Sequence, residues 1–276
     1  MNNTFRKYDL SGKTALVTGG ATGIGYYMAR GLAAAGARVM ISARRENVLK
    51  DAASRLGTET GGDALYHVVD LANPKSVRDL VDHAISTLNG VDILVGNAAM
   101  IVVEPLESIK DETLAEMFQV NVAANVALVR GFLPHMRTNK WGRIIISSST
   151  ASMHGAPSEP VSMYSMVKGA LNSFVRAVAV EVGRDGITAN SLVLGMHKTE
   201  LVEEIVGVLD AKNGQGAGEA WLQAQASMTA TGHIAESADA EGMVQLLASD
   251  AGRNITGANL VLDGGHTIMM RPYQTP

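Results

Sequence analysis

An apolar run, Thr14-Ala15-Leu16-Val17, leads directly into Thr18-Gly19-Gly20-Ala21-Thr22-Gly23-Ile24-Gly25, and a helical pattern follows from Ile24 to Ala35. No other stretch restricts the fold as much. The run is short and glycine-bounded, which marks a buried strand. Glycines between a strand and a helix permit a tight turn and a close backbone approach by a phosphate. The helix N-terminus then faces the phosphate charge. The spacing is Gly-x-x-x-Gly-x-Gly rather than the Gly-x-Gly-x-x-Gly dinucleotide fingerprint. By itself the turn therefore fits a dinucleotide site, an adenosyl-methionine site after a first strand, or an ordinary βα connection.

The rest of the chain repeats the strand-helix alternation. Strands are expected at Arg38–Ser42, Ala64–Val69, Asp92–Val95, Arg143–Ser147, Ile187–Val193 and Asn259–Leu262. Helices are expected at Glu46–Leu56, from Asn73-Pro74 to Asn89-Gly90, and as one long stretch over Glu112–Met136. More follow at Val161–Val182, Thr199–Leu209, Glu219–Ser227 and Ala238–Ala248. Asn73 as cap and Pro74 at the first helical position make a good helix start. Such alternation predicts one α/β domain, a parallel sheet with helices on both faces.

Composition narrows the function. A net charge of −4 gives no basic field for nucleic acid. There is no cysteine, so neither a disulfide framework nor a thiolate metal site exists, and no metal is expected. No apolar run is long enough to span a bilayer. Met1 to Lys13 is polar and lacks a signal-peptide core, so the expected setting is cytoplasmic.

The end of the second strand bears on the cofactor. NAD sites place an acid roughly 20 positions beyond the glycines, on the ribose 2′-hydroxyl. Here the strand ends Ser42-Ala43-Arg44-Arg45, with no acid at its tip. Two guanidiniums suit the 2′-phosphate of NADP. The alternative is two solvated arginines opening a helix, with Glu46 placed to neutralise one of them.

Further along, Tyr164 and Lys168 are four apart and share a helix face. A tyrosine hydroxyl, with a pKa of about 10, is a poor acid or base near neutrality, and a nearby ammonium favours its phenolate. The pair makes sense as a tuned acid/base. Taken alone, it also fits an exposed helix turn.

With both sites placed, the chain resembles the short-chain dehydrogenase/reductase family from about Leu10 to Gly265. Thr18 to Gly25 matches the family's Thr-Gly-x-x-x-Gly-x-Gly, and Tyr164 with Lys168 matches its Tyr-x-x-x-Lys. Gly142-Arg143-Ile144-Ile145-Ile146-Ser147-Ser148-Ser149 resembles the strand that ends in the catalytic serine, taken here as Ser149. Asn121 in Val120-Asn121-Val122 falls where the family carries a catalytic asparagine, and Asp70-Leu71 resembles its adenine-contacting pair. The family's Asn-Asn-Ala-Gly appears as Gly96-Asn97-Ala98-Ala99, and its Pro-Gly as Leu194-Gly195, with Thr199 still matching. The loop from Ser149 to Tyr164 is about two residues longer than the family norm, so Ser147 and Ser148 stand as alternatives to Ser149.

The resemblance implies a seven-stranded Rossmann-like parallel sheet of order 3-2-1-4-5-6-7. It implies hydride transfer between nicotinamide and a carbonyl or secondary alcohol. Tyr164 would exchange the proton, Lys168 would lower the tyrosine pKa and bind the nicotinamide ribose, Ser149 would bond the substrate oxygen, and Asn121 would hold a relay water. Gly19, Thr22, Gly23, Ile24, Gly25, Arg44, Arg45, Asp70, Leu71, Asn97, Tyr164, Lys168 and Thr199 would hold the cofactor, NADP(H) in preference to NAD(H). A non-enzymatic dinucleotide sensor and an adenosyl-methionine methyltransferase are the competing readings.

The substrate is expected between the 150s loop and residues 196–232. Met153, His154, Met163, Met196, Trp221 and Met228 there offer an adaptable apolar wall. Glu200, Glu203 and Glu204 read as a solvated helix face. The helix Ala170–Val182 is apolar nearly all round, through Leu171, Phe174, Val175, Ala177, Val178, Val180 and Val182. Such a helix is buried on two sides, which predicts a homo-oligomer, a tetramer as in many family members.

Overall fold

The computed structural model describes residues 5–155 and 160–269. Residues 156–159 of the expected substrate loop lie outside the described residues. The central sheet holds β1 (Thr14–Thr18), β2 (Arg38–Ala43), β3 (Ala64–Val68), β4 (Ile93–Gly96), β5 (Gly142–Ser149), β6 (Ile187–Leu194) and β9 (Asn259–Leu262). All pair in parallel, in the order β3-β2-β1-β4-β5-β6-β9. This is the expected seven-strand order. A parallel pair not foreseen in the sequence, β7 (His197–Lys198) with β8 (Ala235–Glu236), lies outside this sheet.

The helices are α1 (Gly23–Ala34), α2 (Glu46–Thr60), α3 (Pro74–Leu88), α4 (Asp111–Phe118), α5 (Ala124–Asn139), α6 (Ser162–Val182), α7 (Glu200–Asn213), α8 (Ala217–Ser227) and α9 (Ala240–Ala248). Strand side chains alternate between two cores. Ala15 and Val17 of β1 pack with α1, α2 and α9, whereas Leu16 packs with α3, α5 and α6. Covered on both faces, β1 and β4 read as short apolar runs, as central parallel strands do, whereas β6 is equally buried but carries Thr188, Asn190 and Ser191.

Two local expectations change. The long helix over Glu112–Met136 is broken by one π turn, Gln119–Ala123, between α4 and α5. Strand β5 runs two residues further than periodicity indicates, so Ser148 and Ser149 belong to it. Their hydroxyls hide a strand that is held by pairing with β6, Ser149 opposite Leu194. At α3 the capping chemistry is as read: Asn73 Oδ1 accepts from the amides of Lys75 at 2.9 Å and Ser76 at 3.4 Å.

The chain leaves β1 toward β2 and β3 on one side and returns to β4 on the other. The order reverses between β1 and β4, and that switch point opens a crevice at the carboxyl ends of the strands. Among the described residues no helix is long and apolar enough to cross a membrane.

Candidate active site

The crevice is a cleft of about 950 Å³. Its walls come from the carboxyl end of successive strands: Gly19 to Gly25 after β1, Arg44 and Arg45 after β2, Asp70 and Leu71 after β3, Asn97 after β4, and Thr199 past β6. Of the residues expected to hold a cofactor, all but Tyr164 and Lys168 line this cleft, although the chain separates them widely.

The glycine-rich turn has a steric reason for its glycines. Gly19 has φ +66°, a left-handed conformation. A Cβ on Gly25 would overlap the Gly19 carbonyl and come within 2.5 Å of Asn97 Nδ2. The turn can therefore close only without side chains there. Asn97 braces it from β4: its amide donates to Thr18 Oγ1 at 3.0 Å, its Nδ2 to the Gly19 carbonyl at 3.4 Å, and its Oδ1 accepts from Ser147 Oγ at 3.1 Å.

Arg44 and Arg45 are exposed on the cleft wall, and neither forms an ion pair among the described residues. Glu46, which the alternative reading placed to neutralise one of them, pairs with neither. Thr199 caps α7, with Oγ1 accepting from the Val202 amide at 3.4 Å. Its Cγ2 lies 3.2 Å from the Cβ position of Gly23, so the start of α7 rests on the glycine turn. Glu200 and Glu204 are exposed, as read, and the solvated face they form also borders the cleft. Their spacing of four was the available signal: it sets both on one side of α7, with Leu201 beside Glu200.

From Asn97 the hydrogen bonds lead away from the cleft lining to the Tyr-Lys pair. Ser147 meets Asn97 through its hydroxyl and accepts from Lys168 Nζ at 2.8 Å through its carbonyl. Lys168 is 3% exposed, on the buried face of α6, and its Nζ lies 5.5 Å from the Tyr164 ring centroid. Ser149 neighbours Tyr164 closely enough to favour its ionised form, and its hydroxyl accepts from the Ala151 amide at 3.2 Å. Ser148 is committed elsewhere, donating to Ser152 Oγ at 3.2 Å and facing the Lys168 carbonyl at 3.4 Å. Of the three serines, the structure brings Ser149 to the tyrosine.

The electrostatics depart from expectation. Burial pushes Tyr164 up to about 12, against a smaller lowering from Ser149. Burial pulls Lys168 down to about 8. Desolvation disfavours both charged forms, and at this separation it outweighs the attraction that was expected to lower the tyrosine.

Asn121 is fully buried in the π turn. Its Nδ2 donates to the carbonyls of Met100 and Met117, both at 2.9 Å, and its Oδ1 accepts from the Met100 amide at 3.3 Å. The side chain therefore ties α4 to the segment after β4. Its main-chain carbonyl lies within the π turn and accepts from Asn125 Nδ2 at 2.7 Å.

Comparison with known proteins agrees with this geometry. The family model described as short chain dehydrogenase matches residues 13–207. The chain belongs to the short-chain dehydrogenase/reductase family. It is 31% identical over 261 residues to the D-beta-hydroxybutyrate dehydrogenase of Rhizobium meliloti (strain 1021), covering 92% of this chain and 98% of that enzyme. It is 30% identical to the L-rhamnose 1-dehydrogenase (NADP(+)) of Thermoplasma acidophilum, over 95% of this chain and 99% of that one. Among solved structures, the L-sorbose reductase of Gluconobacter frateurii, complexed with NADPH and L-sorbose, superposes with a TM-score of 0.90 at 30% identity. That match covers 95% of this chain and 98% of the reductase. The chain is thus a short-chain dehydrogenase/reductase oxidoreductase, and the methyltransferase reading loses its support.

Proposed function

We propose that this short-chain dehydrogenase/reductase is an NADP(H)-preferring enzyme that interconverts a carbonyl and a secondary alcohol on a small, largely apolar substrate. The observation that carries the reading is the hydrogen-bonded path Asn97–Ser147–Lys168, which joins a phosphate-adapted cleft to Tyr164 and Ser149. The donor set fits the cofactor. A glycine turn that no Cβ can enter opens α1, and two exposed guanidiniums stand where an acid would select NAD. The NADP(+) in one relative's name and the NADPH in one neighbour's complex support the same choice.

When bound, NADP(H) supplies or accepts the hydride. Tyr164 donates the proton to the substrate oxygen as reduction proceeds and takes it back in oxidation. Ser149 hydrogen-bonds that oxygen and the phenol. Lys168, held on the Ser147 carbonyl, places a cation behind the tyrosine and toward the ribose of the nicotinamide. The main-chain carbonyl of Asn121 is the group that holds a relay water, since its side-chain amide is committed. Asp70 and Leu71 border the adenine.

The segment 196–232 encloses the substrate. Its foot is tied to the end of the sheet by the Thr231 amide on the Gly264 carbonyl at 3.0 Å, and Met196, Trp221 and Met228 are partly exposed along it. The working unit is a homotetramer in the cytoplasm. On α6, Leu171, Val175, Val178 and Val182 are buried, while Val180 is 86% exposed and open to a second copy. The reading is tested by assaying a panel of small ketones, hydroxy acids and sugars with NADPH and NADH in parallel, with the mass measured by sedimentation. Turnover of none with either cofactor would overturn it.

A further inference from the structure

The α1 N-terminus already has an anionic neighbour. Glu200 Oε2 lies 3.4 Å from the Cβ position of Gly23, the first residue of α1. Thr22, the cap of that helix, makes no side-chain cap bond, and no acid stands in the helix's own first turn. The carboxylate beside this turn thus comes from α7, far along the chain. Glu204, one turn further on α7, faces the same cleft.

We propose that Glu200 is a determinant of cofactor affinity, because its carboxylate stands at the phosphate-binding turn and must withdraw when a dinucleotide pyrophosphate arrives there. The inference rests on the dinucleotide reading above. A helix N-terminus attracts one anion, and a second anion at the same amides repels the first. Before binding, Glu200 and Thr199 both border the glycine turn at the start of α7. The pyrophosphate displaces it, and the movement passes through Thr199 into α7 and the segment over the substrate. Cofactor binding and opening of that segment are thereby coupled. The pyrophosphate is common to NADPH and NADH, so Glu200 acts on both alike. Arg44 and Arg45 would act only on the 2′-phosphate.

The test titrates NADPH and NADH, followed by fluorescence, into wild-type, Glu200→Gln and Glu200→Ala protein. Adenosine 2′-monophosphate serves as a probe without pyrophosphate, and amide exchange is followed over residues 200–213. Glu200 is exposed, so both variants keep the fold. Both should bind NADPH and NADH about tenfold more tightly, ~1.4 kcal/mol, with the ratio between the two unchanged. Adenosine 2′-monophosphate should bind as before. Exchange at the start of α7 should quicken without nucleotide and stay the same with NADPH. Unchanged or weaker NADPH binding in both variants overturns the proposal. So does equal tightening of adenosine 2′-monophosphate, which would mark a general field effect. Wild-type protein that binds neither dinucleotide overturns the cofactor reading, and this inference with it.

Discussion

Lys168 does not hydrogen-bond to Tyr164: its Nζ lies 5.5 Å from the phenol ring centroid and donates instead to the carbonyl of Ser147 at 2.8 Å. The ammonium is anchored to the same β5 residue whose hydroxyl braces Asn97. One strand end therefore holds both the cleft and the acid/base group in register. The phenol is pushed up to about 12 by burial, against a smaller lowering from Ser149 beside it, and stays protonated. A protonated phenol is the form that carbonyl reduction needs.

Tyr164→Phe should keep the fold and NADPH binding, because only one hydroxyl is lost. It should lower kcat for carbonyl reduction about 10²–10⁴-fold, the usual contribution of general acid catalysis. Ser149→Ala should also slow turnover, whereas Ser148→Ala, which removes contacts to Ser152 and the Lys168 carbonyl, should leave turnover near wild type. Steady-state kinetics on one good substrate decides. Near-normal turnover of Tyr164→Phe would remove the tyrosine from the mechanism.

The buried Lys168 makes stability depend on pH in a definable window. Burial holds its folded pKa at about 8, below the ordinary lysine value of 10.5. Between these values the folded chain has released a proton that the unfolded chain still holds. Unfolding then takes up a proton, so this group's contribution becomes more favourable as pH rises from about 8 to 10.5. Below pH 8 the full cost of burying the cation is present. Relative to Lys168→Met, wild-type protein should gain up to about 3 kcal/mol across that window, at 1.36 kcal/mol per pKa unit. Denaturant unfolding of both proteins at pH 7 and pH 10 measures it, and a pH-independent difference would show that the lysine is not desolvated.

Arg44→Asp should shift cofactor preference toward NADH. A charge-assisted contact with phosphate is worth about 1.5–3 kcal/mol, or roughly tenfold or more in affinity. The guanidinium is exposed and unpaired among the described residues, so its removal leaves no buried partner behind. The kcat/KM ratio for NADPH over NADH is the readout. Equal use of both cofactors by wild-type protein would refute the assignment.

Gly25→Ala should damage both the fold and the cofactor site. The added methyl overlaps the Gly19 carbonyl and crowds Asn97 Nδ2, and neither can yield without opening the turn. Overpacking of this kind costs about 1–3 kcal/mol. Thermal unfolding should show the loss, and NADPH titration should show weakened binding. By contrast Gly61→Ala, at φ +71° in open space and far from the turn, should lose about 1–2 kcal/mol to backbone strain alone and bind NADPH normally.

Much of this protein was legible without coordinates because the signals are local. A five-residue apolar strand, a glycine turn that excludes side chains, an Asn-Pro helix start and a Tyr-Lys pair one turn apart depend on neighbours in the chain, and they placed the strands and most of the cleft. The tertiary structure alone decided what depends on distant contacts. Pairing with β6 carried β5 as far as Ser149, although three serines in a row do not read as strand. Hydrogen bonds to Met100 and Met117 committed the Asn121 amide inside a π turn, where periodicity showed unbroken helix. The approach of α7 to the glycine turn made Glu200 part of the cleft. Burial, which sums every element packed around a group, raised Tyr164 where the four-residue spacing to Lys168 argued that it would fall. Desolvation depends on the whole surrounding volume, and no stretch of sequence contains it.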